Sequence, residues 1–121
     1  MTIRKVLIVD DSKTETMVLT EMLKSNGYLV SSAQDGEQAL ELMALEKPDL
    51  ILLDVVMPGR NGFQLTRAMS RHPDFGDIPI ILCSSKNLET DKVWGLRQGA
   101  AGYITKPVNE PELLAKINAL V

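Results

Sequence analysis

Residues 6–23, VLIVDDSKTETMVLTEML, read as one strand running into one helix. Val6, Leu7, Ile8 and Val9 form an unbroken apolar run, which suits a strand covered on both faces rather than one with a wet side. Asp10 and Asp11 end the run. Ser12, followed three residues later by Glu15, has the spacing of a capping box, and Val18, Leu19, Met22 and Leu23 then share one helical stripe. Two carboxylates therefore sit where a strand gives way to a helix.

The same alternation continues along the chain. Further short apolar runs occupy residues 28–30, 50–53, 78–83 and 102–104. Between them lie helical patterns. Asp35 and Gln38 mark a start ahead of Ala39, Leu40 and Met43, and Phe63, Leu65 and Met69 follow Gly62. Residues 89–98 form a fourth helix closed by Gly99, with Val93 and Leu96 as its expected apolar face and Trp94 beside it, partly exposed. The fifth begins near Asn109 and carries Leu113, Leu114, Ile117, Leu120 and Val121. Five strand–helix units joined by right-handed crossovers make a doubly wound α/β sandwich, a five-stranded parallel sheet with helices on both faces.

Whole-chain properties narrow the function classes. The 121 residues suit one domain spanning 1–121 with no output domain, and 45% apolar with 24% charged residues is an ordinary globular balance. Thirteen basic against sixteen acidic residues give a net charge of −3 with no Lys/Arg stripe, so nucleic acid is not an expected partner. The single cysteine, Cys83, cannot form an internal disulfide and reads as a small buried apolar residue; His72, in a long loop, reads as solvated. The six methionines read mainly as helical core, and Met57–Pro58 as shaping the loop after Asp54. The first apolar run is too short for a signal peptide, and no run approaches the roughly 20 residues of a membrane span, so a cytoplasmic location is expected. No GxxxxGK[ST] loop is present, which argues against a nucleotide hydrolase.

In a doubly wound sheet, ligands bind beyond the carboxyl ends of the strands. Strand one ends in Asp10 and Asp11, strand three in Asp54, strand four in Ser84, and Lys106 follows strand five. Taken singly, these are weak signals: a strand-end aspartate reads as a cap, a Lys-Pro pair as a loop, a serine as a helix start. Their joint placement gives them weight. Two carboxylates about 4 Å apart repel by roughly 4 kcal/mol at an effective dielectric near 20, so such a cluster raises a pKa, spreads apart or binds a cation, and for a cation an oxygen-only donor set favours Mg2+. Phosphoryl transfer then suits the residues. Asp54 can attack as a carboxylate, Mg2+ on Asp11 with Asp10 in support neutralises one side, and Lys106 and the Ser84 hydroxyl meet other phosphoryl oxygens.

At these residues the chain resembles the receiver-domain, or CheY-like, superfamily. The likeness rests on VLIVDDS (6–12), LLDVVMPGRNG (52–62), the hydroxyl at Ser84 and GYITKP (102–107), and it runs the length of the chain without large gaps. It implies a flavodoxin-like sheet of order 2-1-3-4-5, with Asp54 phosphorylated by a histidine kinase, Asp10 and Asp11 as the acidic pair and Lys106 as the phosphate-contacting lysine. Mg2+ would be held by the carboxylates of Asp11 and Asp54 and the backbone carbonyl of Val56. Ser84 stands where the family has Thr or Ser, Tyr103 takes the place of its aromatic switch residue, and the Lys106–Pro107 bond is expected to be cis. Such a chain is a phosphoacceptor switch that catalyses only its own phosphorylation and dephosphorylation. When the phosphate pulls on Ser84, Tyr103 would fill the space vacated.

Residues 89–101 (ETDKVWGLRQGAA) and 105–114 (TKPVNEPELL) carry a narrower likeness, to PilH-type regulators of twitching motility. Those are stand-alone receivers in chemotaxis-like systems that control type IV pili, including relatives linked to phototaxis. The implied partners are a kinase and either a downstream motility protein or a shared kinase from which phosphate is drained. The chain is expected to be a monomer, with phosphorylation-linked dimerisation left open. Trp94 is a candidate partner anchor, since exposed tryptophan is favoured at binding hot spots. Val56, two beyond Asp54, is apolar where many relatives carry a polar side chain, and Lys86 lies two beyond Ser84; in the family these positions flank the attacking water, so the lifetime of a phosphate on Asp54 is an open quantity.

Three rival readings fare worse. Aspartate-nucleophile phosphatases of the haloacid dehalogenase kind separate their two aspartates by one residue, whereas Asp10 and Asp11 are adjacent. A flavodoxin-like electron carrier would find its flavin phosphate repelled by the carboxylates. A degenerate receiver serving only as a binding module would not need the complete set of Asp10, Asp11, Asp54, Ser84 and Lys106.

Overall fold

The computed structural model describes residues 2–57, 61–86 and 88–120. Pro58 of the Met57–Pro58 pair and Val121 at the expected end of the last helix lie outside them. The elements alternate throughout: β1 (Lys5–Val9), α1 (Lys13–Lys24), β2 (Leu29–Ala33), α2 (Gly36–Leu45), β3 (Leu50–Asp54), α3 (Gly62–Ser70), β4 (Ile80–Ser84), α4 (Glu89–Arg97), β5 (Gly102–Thr105) and α5 (Glu110–Asn118). All four strand pairings are parallel, and the sheet order is β2-β1-β3-β4-β5.

Alternate strand residues feed two cores, one on each side of the sheet. Val6, Ile8, Leu50, Leu52, Ile81, Cys83 and Ile104 pack against Leu19 and Leu23 of α1 and Leu113 and Ile117 of α5. Leu7, Val9, Ile51, Leu53, Ile80, Leu82 and Tyr103 pack against Ala39 and Met43 of α2 and Leu65 and Met69 of α3. Every residue of β3 and β4 is buried, as their continuous apolar runs require, and each large side chain so buried stabilises the fold by about 1.5–3 kcal/mol.

Several elements differ from the sequence reading, each for a physical reason. β2 is an edge strand spanning Leu29–Ala33, and its exposed Ser31 and Ser32 lack the apolar run that marks interior strands. β4 starts at Ile80 rather than residue 78; Ile78 is buried, but it precedes Pro79, which has no N–H to give a ladder. Only half of the α1 capping box forms. Ser12 accepts from the Glu15 N–H at 3.3 Å, but the Ser12 N–H goes to Asp10 Oδ1 at 2.9 Å, leaving the Glu15 carboxylate for another partner. On α1, Val18 faces outward, while Leu19 and Leu23 carry the buried stripe. Met43, Met57 and Met69 are core residues, but Met17 is exposed. His72 is half-buried rather than solvated; its Nδ1 accepts from the Asp74 N–H at 3.0 Å and its ring stacks on Phe75 at 4.4 Å.

The largest difference concerns α4. Val93 and Leu96 do not form its buried face; they are 43% and 51% exposed, and the one buried residue of the helix is Gly95. The helix is seated on the sheet through its backbone at Gly95, where a side chain would not fit. A Cβ there would lie 2.7 Å from Leu82 Cδ1, 3.3 Å from Tyr103 Cδ2 and 3.4 Å from Phe63 Cε1. Trp94, next along, is 50% exposed, in line with its expected partial exposure. Gly99 ends the helix with φ +112°, a left-handed conformation natural to glycine.

Gly95→Ala tests this seat. Alanine gains about 1 kcal/mol of helix propensity, but forcing a methyl into a packed core costs about 1–3 kcal/mol. Leu82 is fully buried and cannot swing into solvent, so overpacking wins. The expected result is a net loss of about 1–2 kcal/mol in urea unfolding, with a changed near-UV signal from Tyr103. An unchanged midpoint and spectrum would show that the close approach is not tight.

Candidate functional site

The sheet's pleat delivers the polar residues to two different faces. Asp10 continues the β1 alternation of Val6 and Ile8, Asp54 continues Leu50 and Leu52, and Lys106 continues Ile104, so all three fall on the α1/α5 side. Ser84 continues Ile80 and Leu82, and together with Tyr103 it falls on the α2/α3 side. Register sets their height. Val9 pairs with Ala33 and Leu53, Asp54 with Cys83 and Ser84 with Thr105, so neighbouring strands end within a residue of each other and the whole edge is stepped by two residues. Two backbone bonds extend the ladder past the last strand residues: Asp10 N–H donates to Ala33 O at 3.0 Å, and Lys106 N–H to Ser84 O at 2.8 Å.

On the α1/α5 side, Asp54 is 8% exposed and Asp10 3% exposed, while Asp11 faces solvent. One carboxylate oxygen from each of these three aspartates lies within 4.8 Å of the other two. Lys106 Nζ bonds Asp10 Oδ2 at 2.9 Å and lies 3.4 Å from Asp54 Oδ1. It also meets Glu15 Oε2, the partner that the half-formed capping box left free. Three carboxylates thus share one ammonium. Burial pushes the Asp54 carboxyl above the usual carboxylate range, with Lys106 opposing and the Asp10 charge adding to the rise. For Lys106, burial works to lower the pKa, but bonds to Glu15 and Asp10 and the charge of Asp54 outweigh it, and the net shift is upward. The ammonium is therefore fixed in its charged form.

The donor set fits a hard divalent cation. All the donors are carboxylate oxygens, the cluster keeps excess negative charge beyond what Lys106 offsets, and both Asp10 oxygens are already engaged, by Ser12 N–H and by Lys106. Asp11, exposed, and Asp54, whose Oδ1 lies 3.4 Å from Lys106 Nζ, are the other two carboxylates of the cluster. Val56, two residues beyond Asp54, has an exposed side chain at the same edge.

On the other face, Ser84 is fully buried and its Oγ accepts from the Lys86 N–H at 3.2 Å. The Tyr103 ring is buried in the core, and its hydroxyl donates to the Lys86 carbonyl at 2.8 Å. Burial raises the Tyr103 pKa, a bond to Ser84 working against it. Lys86 therefore engages both residues through its backbone while its side chain is exposed. Cys83, on the opposite side of β4, is buried, and its thiol is pushed up to about 12 by that burial, so it is not a reactive group. The Lys106–Pro107 bond is cis.

Sequence reasoning missed Glu15. At the third position of α1 it reads as a capping residue, and only the structure shows its reciprocal N–H claimed by Asp10. Trp94 lies on α4, beyond the acidic site, with Leu88, Val93 and Leu96 also exposed on that helix or at its start.

A parallel 2-1-3-4-5 sheet with three aspartates and a lysine at its carboxyl edge defines a receiver. The chain belongs to the response regulator receiver domain family, whose model matches residues 6–118. It is 50% identical over 117 residues to Protein PilH of Pseudomonas aeruginosa, with 97% of each chain covered. Among solved structures, it resembles the Vibrio cholerae chemotaxis protein CheY4 with TM-score 0.90 and 31% identity, covering 99% of this chain and 100% of that one. A signal receiver domain of a histidine kinase from Syntrophus aciditrophicus matches with TM-score 0.88 and 35% identity, over 97% of this chain and 89% of that one. Receiver domains are phosphoacceptor switches, and this chain has the acidic pocket in which they bind Mg2+. None of its described helices is long and apolar enough to cross a membrane.

Proposed function

We propose that Asp54 accepts a phosphoryl group from a histidine kinase and that the phosphorylated chain changes its binding to a partner in a chemotaxis-like system controlling type IV pilus motility. The observation that carries this reading is the convergence of Asp54 with Asp10, Asp11 and Lys106 at the carboxyl edge of the sheet. A carboxylate oxygen of Asp54 attacks the phosphorus of a phosphohistidine; the new O–P bond forms as the N–P bond breaks, and the imidazole leaves. A Mg2+ ion held by Asp11, Asp54 and the backbone carbonyl of Val56, with Asp10 behind them, would supply positive charge to the transferring oxygens. Lys106 provides a fixed point charge from the other side, and Asp10 holds it there.

The product is read across the sheet. Ser84 turns its hydroxyl from the Lys86 N–H toward a phosphoryl oxygen, which loosens the backbone segment that also holds Tyr103. The segment leads directly into α4, whose seat on Gly95 touches the Tyr103 ring. Exposed Trp94 on that helix is the partner anchor, and Val56 and Lys86 set how readily water reaches the acyl phosphate. The motility assignment rests on the likeness to PilH-type regulators. A cytoplasmic protein of one domain, residues 1–121, fits this role.

Labelling from acetyl phosphate tests the reading. One phosphoryl group per chain is expected, released by hydroxylamine as an acyl phosphate is, and lost when a chelator removes Mg2+. No label, or label resistant to hydroxylamine, would overturn it.

A further inference from the structure

The contact between Glu15 and Lys106 has no part in the chemistry above, yet it occupies the residue on which that chemistry depends. A lysine ammonium has three donors and no acceptor. Those of Lys106 are directed at Asp10, Glu15 and Asp54, and the three partners are not equivalent. Asp10 is deeply buried, and its second oxygen is tied to the Ser12 N–H. Asp54 stands farther off, at 3.4 Å against 2.9 Å for Asp10. Glu15 makes a close contact from the first turn of α1, and its side chain is 45% exposed. The ammonium therefore leans toward α1 and away from Asp54.

We propose that Glu15 is a positioning residue, a latch that holds Lys106 off Asp54 until a phosphoryl group displaces it. This rests on the reading of Asp54 as the phosphoacceptor. A phosphoryl oxygen on Asp54 needs a donor from Lys106, and each ammonium proton is already directed at a carboxylate. Glu15 is the partner that can leave most easily. Its side chain swings into water rather than into the core, and its negative charge stays favourably placed at the N-terminal turn of α1. Asp10 keeps its own bond, so Lys106 pivots about Asp10 from Glu15 toward the phosphate. The latch makes phosphorylation harder to reach and easier to lose.

The test is the fluoroberyllate concentration that half-saturates the protein at saturating Mg2+, with Mg2+ affinity and thermal midpoint measured for each variant. Glu15→Gln is expected to lower that concentration about two- to fivefold, the range of a partly exposed ion pair. Glu15→Asp keeps the charge but is one methylene shorter; it is expected to lower it similarly, because it no longer reaches Lys106. With Lys106→Met in place, adding Glu15→Gln is expected to change nothing further. The latch is overturned if Glu15→Gln binds like the wild type. It is equally overturned if Glu15→Asp keeps wild-type binding, or if the Glu15→Gln gain persists beside Lys106→Met, since either outcome assigns the effect to through-space charge. If the wild-type protein binds no fluoroberyllate, the phosphoacceptor reading fails and the latch with it, a result distinct from failure of the latch alone.

Discussion

Asp54→Asn is expected to abolish hydroxylamine-labile labelling from acetyl phosphate and, at neutral pH without Mg2+, to make the protein more stable. An amide is a far poorer nucleophile than a carboxylate, so a rate loss of at least about a thousandfold, roughly 4 kcal/mol of barrier, should follow. The gain in stability comes from the same carboxylate. Burial raises the Asp54 pKa, the charge of Asp10 adds to the rise, and Lys106 only partly opposes it. A carboxyl whose folded pKa lies above its unfolded value has its full stabilising contribution below the unfolded pKa and loses it as pH rises through the folded pKa. Ionised Asp54 therefore weakens the fold at neutral pH, and asparagine removes that penalty. The advantage of Asp54→Asn in thermal midpoint should shrink as pH falls through the raised Asp54 pKa and be gone below the ordinary carboxylate range. Residual labile label, or a variant less stable than wild type at neutral pH, would contradict this account.

Gly62→Ala is expected to have the largest effect on stability. Gly62 opens α3, and its N–H donates to Val55 O at 2.8 Å, which brings the helix start against the backbone that carries Asp54. A Cβ at this position would lie 2.3 Å from the Asp54 carbonyl oxygen and 2.7 Å from Val55 Cα. Both are main-chain atoms at the end of a fully buried strand, so neither can rotate aside as a side-chain methyl could. The loss should reach about 3 kcal/mol, at the upper end of overpacking costs, despite alanine's better helix propensity. Because relief requires moving either α3 or the Asp54–Val55 backbone, labelling of Asp54 should slow as well. Chemical unfolding together with acetyl phosphate labelling checks both effects; a wild-type midpoint would show that the helix start shifts freely.

Most of the fold was legible because a parallel sheet covered on both faces writes itself as short apolar runs, as at β1, β3 and β4. β2 was less clear because an edge strand is half solvated, so its serines carry no strand signal. The polar site was legible for a related reason: Asp10, Asp54, Ser84 and Lys106 interrupt or follow those runs at the strand ends, where topology brings them together. Which face each residue takes follows from counting by twos along the strand. Glu15 was hidden because its destination depends on a competition for one N–H, between Asp10 and its own side chain, that spacing does not decide. α4 was misread because periodicity counts apolar side chains, whereas this helix is seated on the absence of one.

Under the proposed mechanism, the distribution of the site over both faces of the sheet separates two kinds of inheritance. Substitutions among the α1 and α5 neighbours of Asp10, Asp54 and Lys106, and at Val56 and Lys86, alter which donors are accepted and for how long. Those around Tyr103 and Gly95 alter what the phosphorylated form says to its listener. The two sides meet at few points, one of them the bond from the Lys106 amide to the Ser84 carbonyl. A lineage can therefore retune its timing while keeping its message, or exchange its audience while keeping its clock.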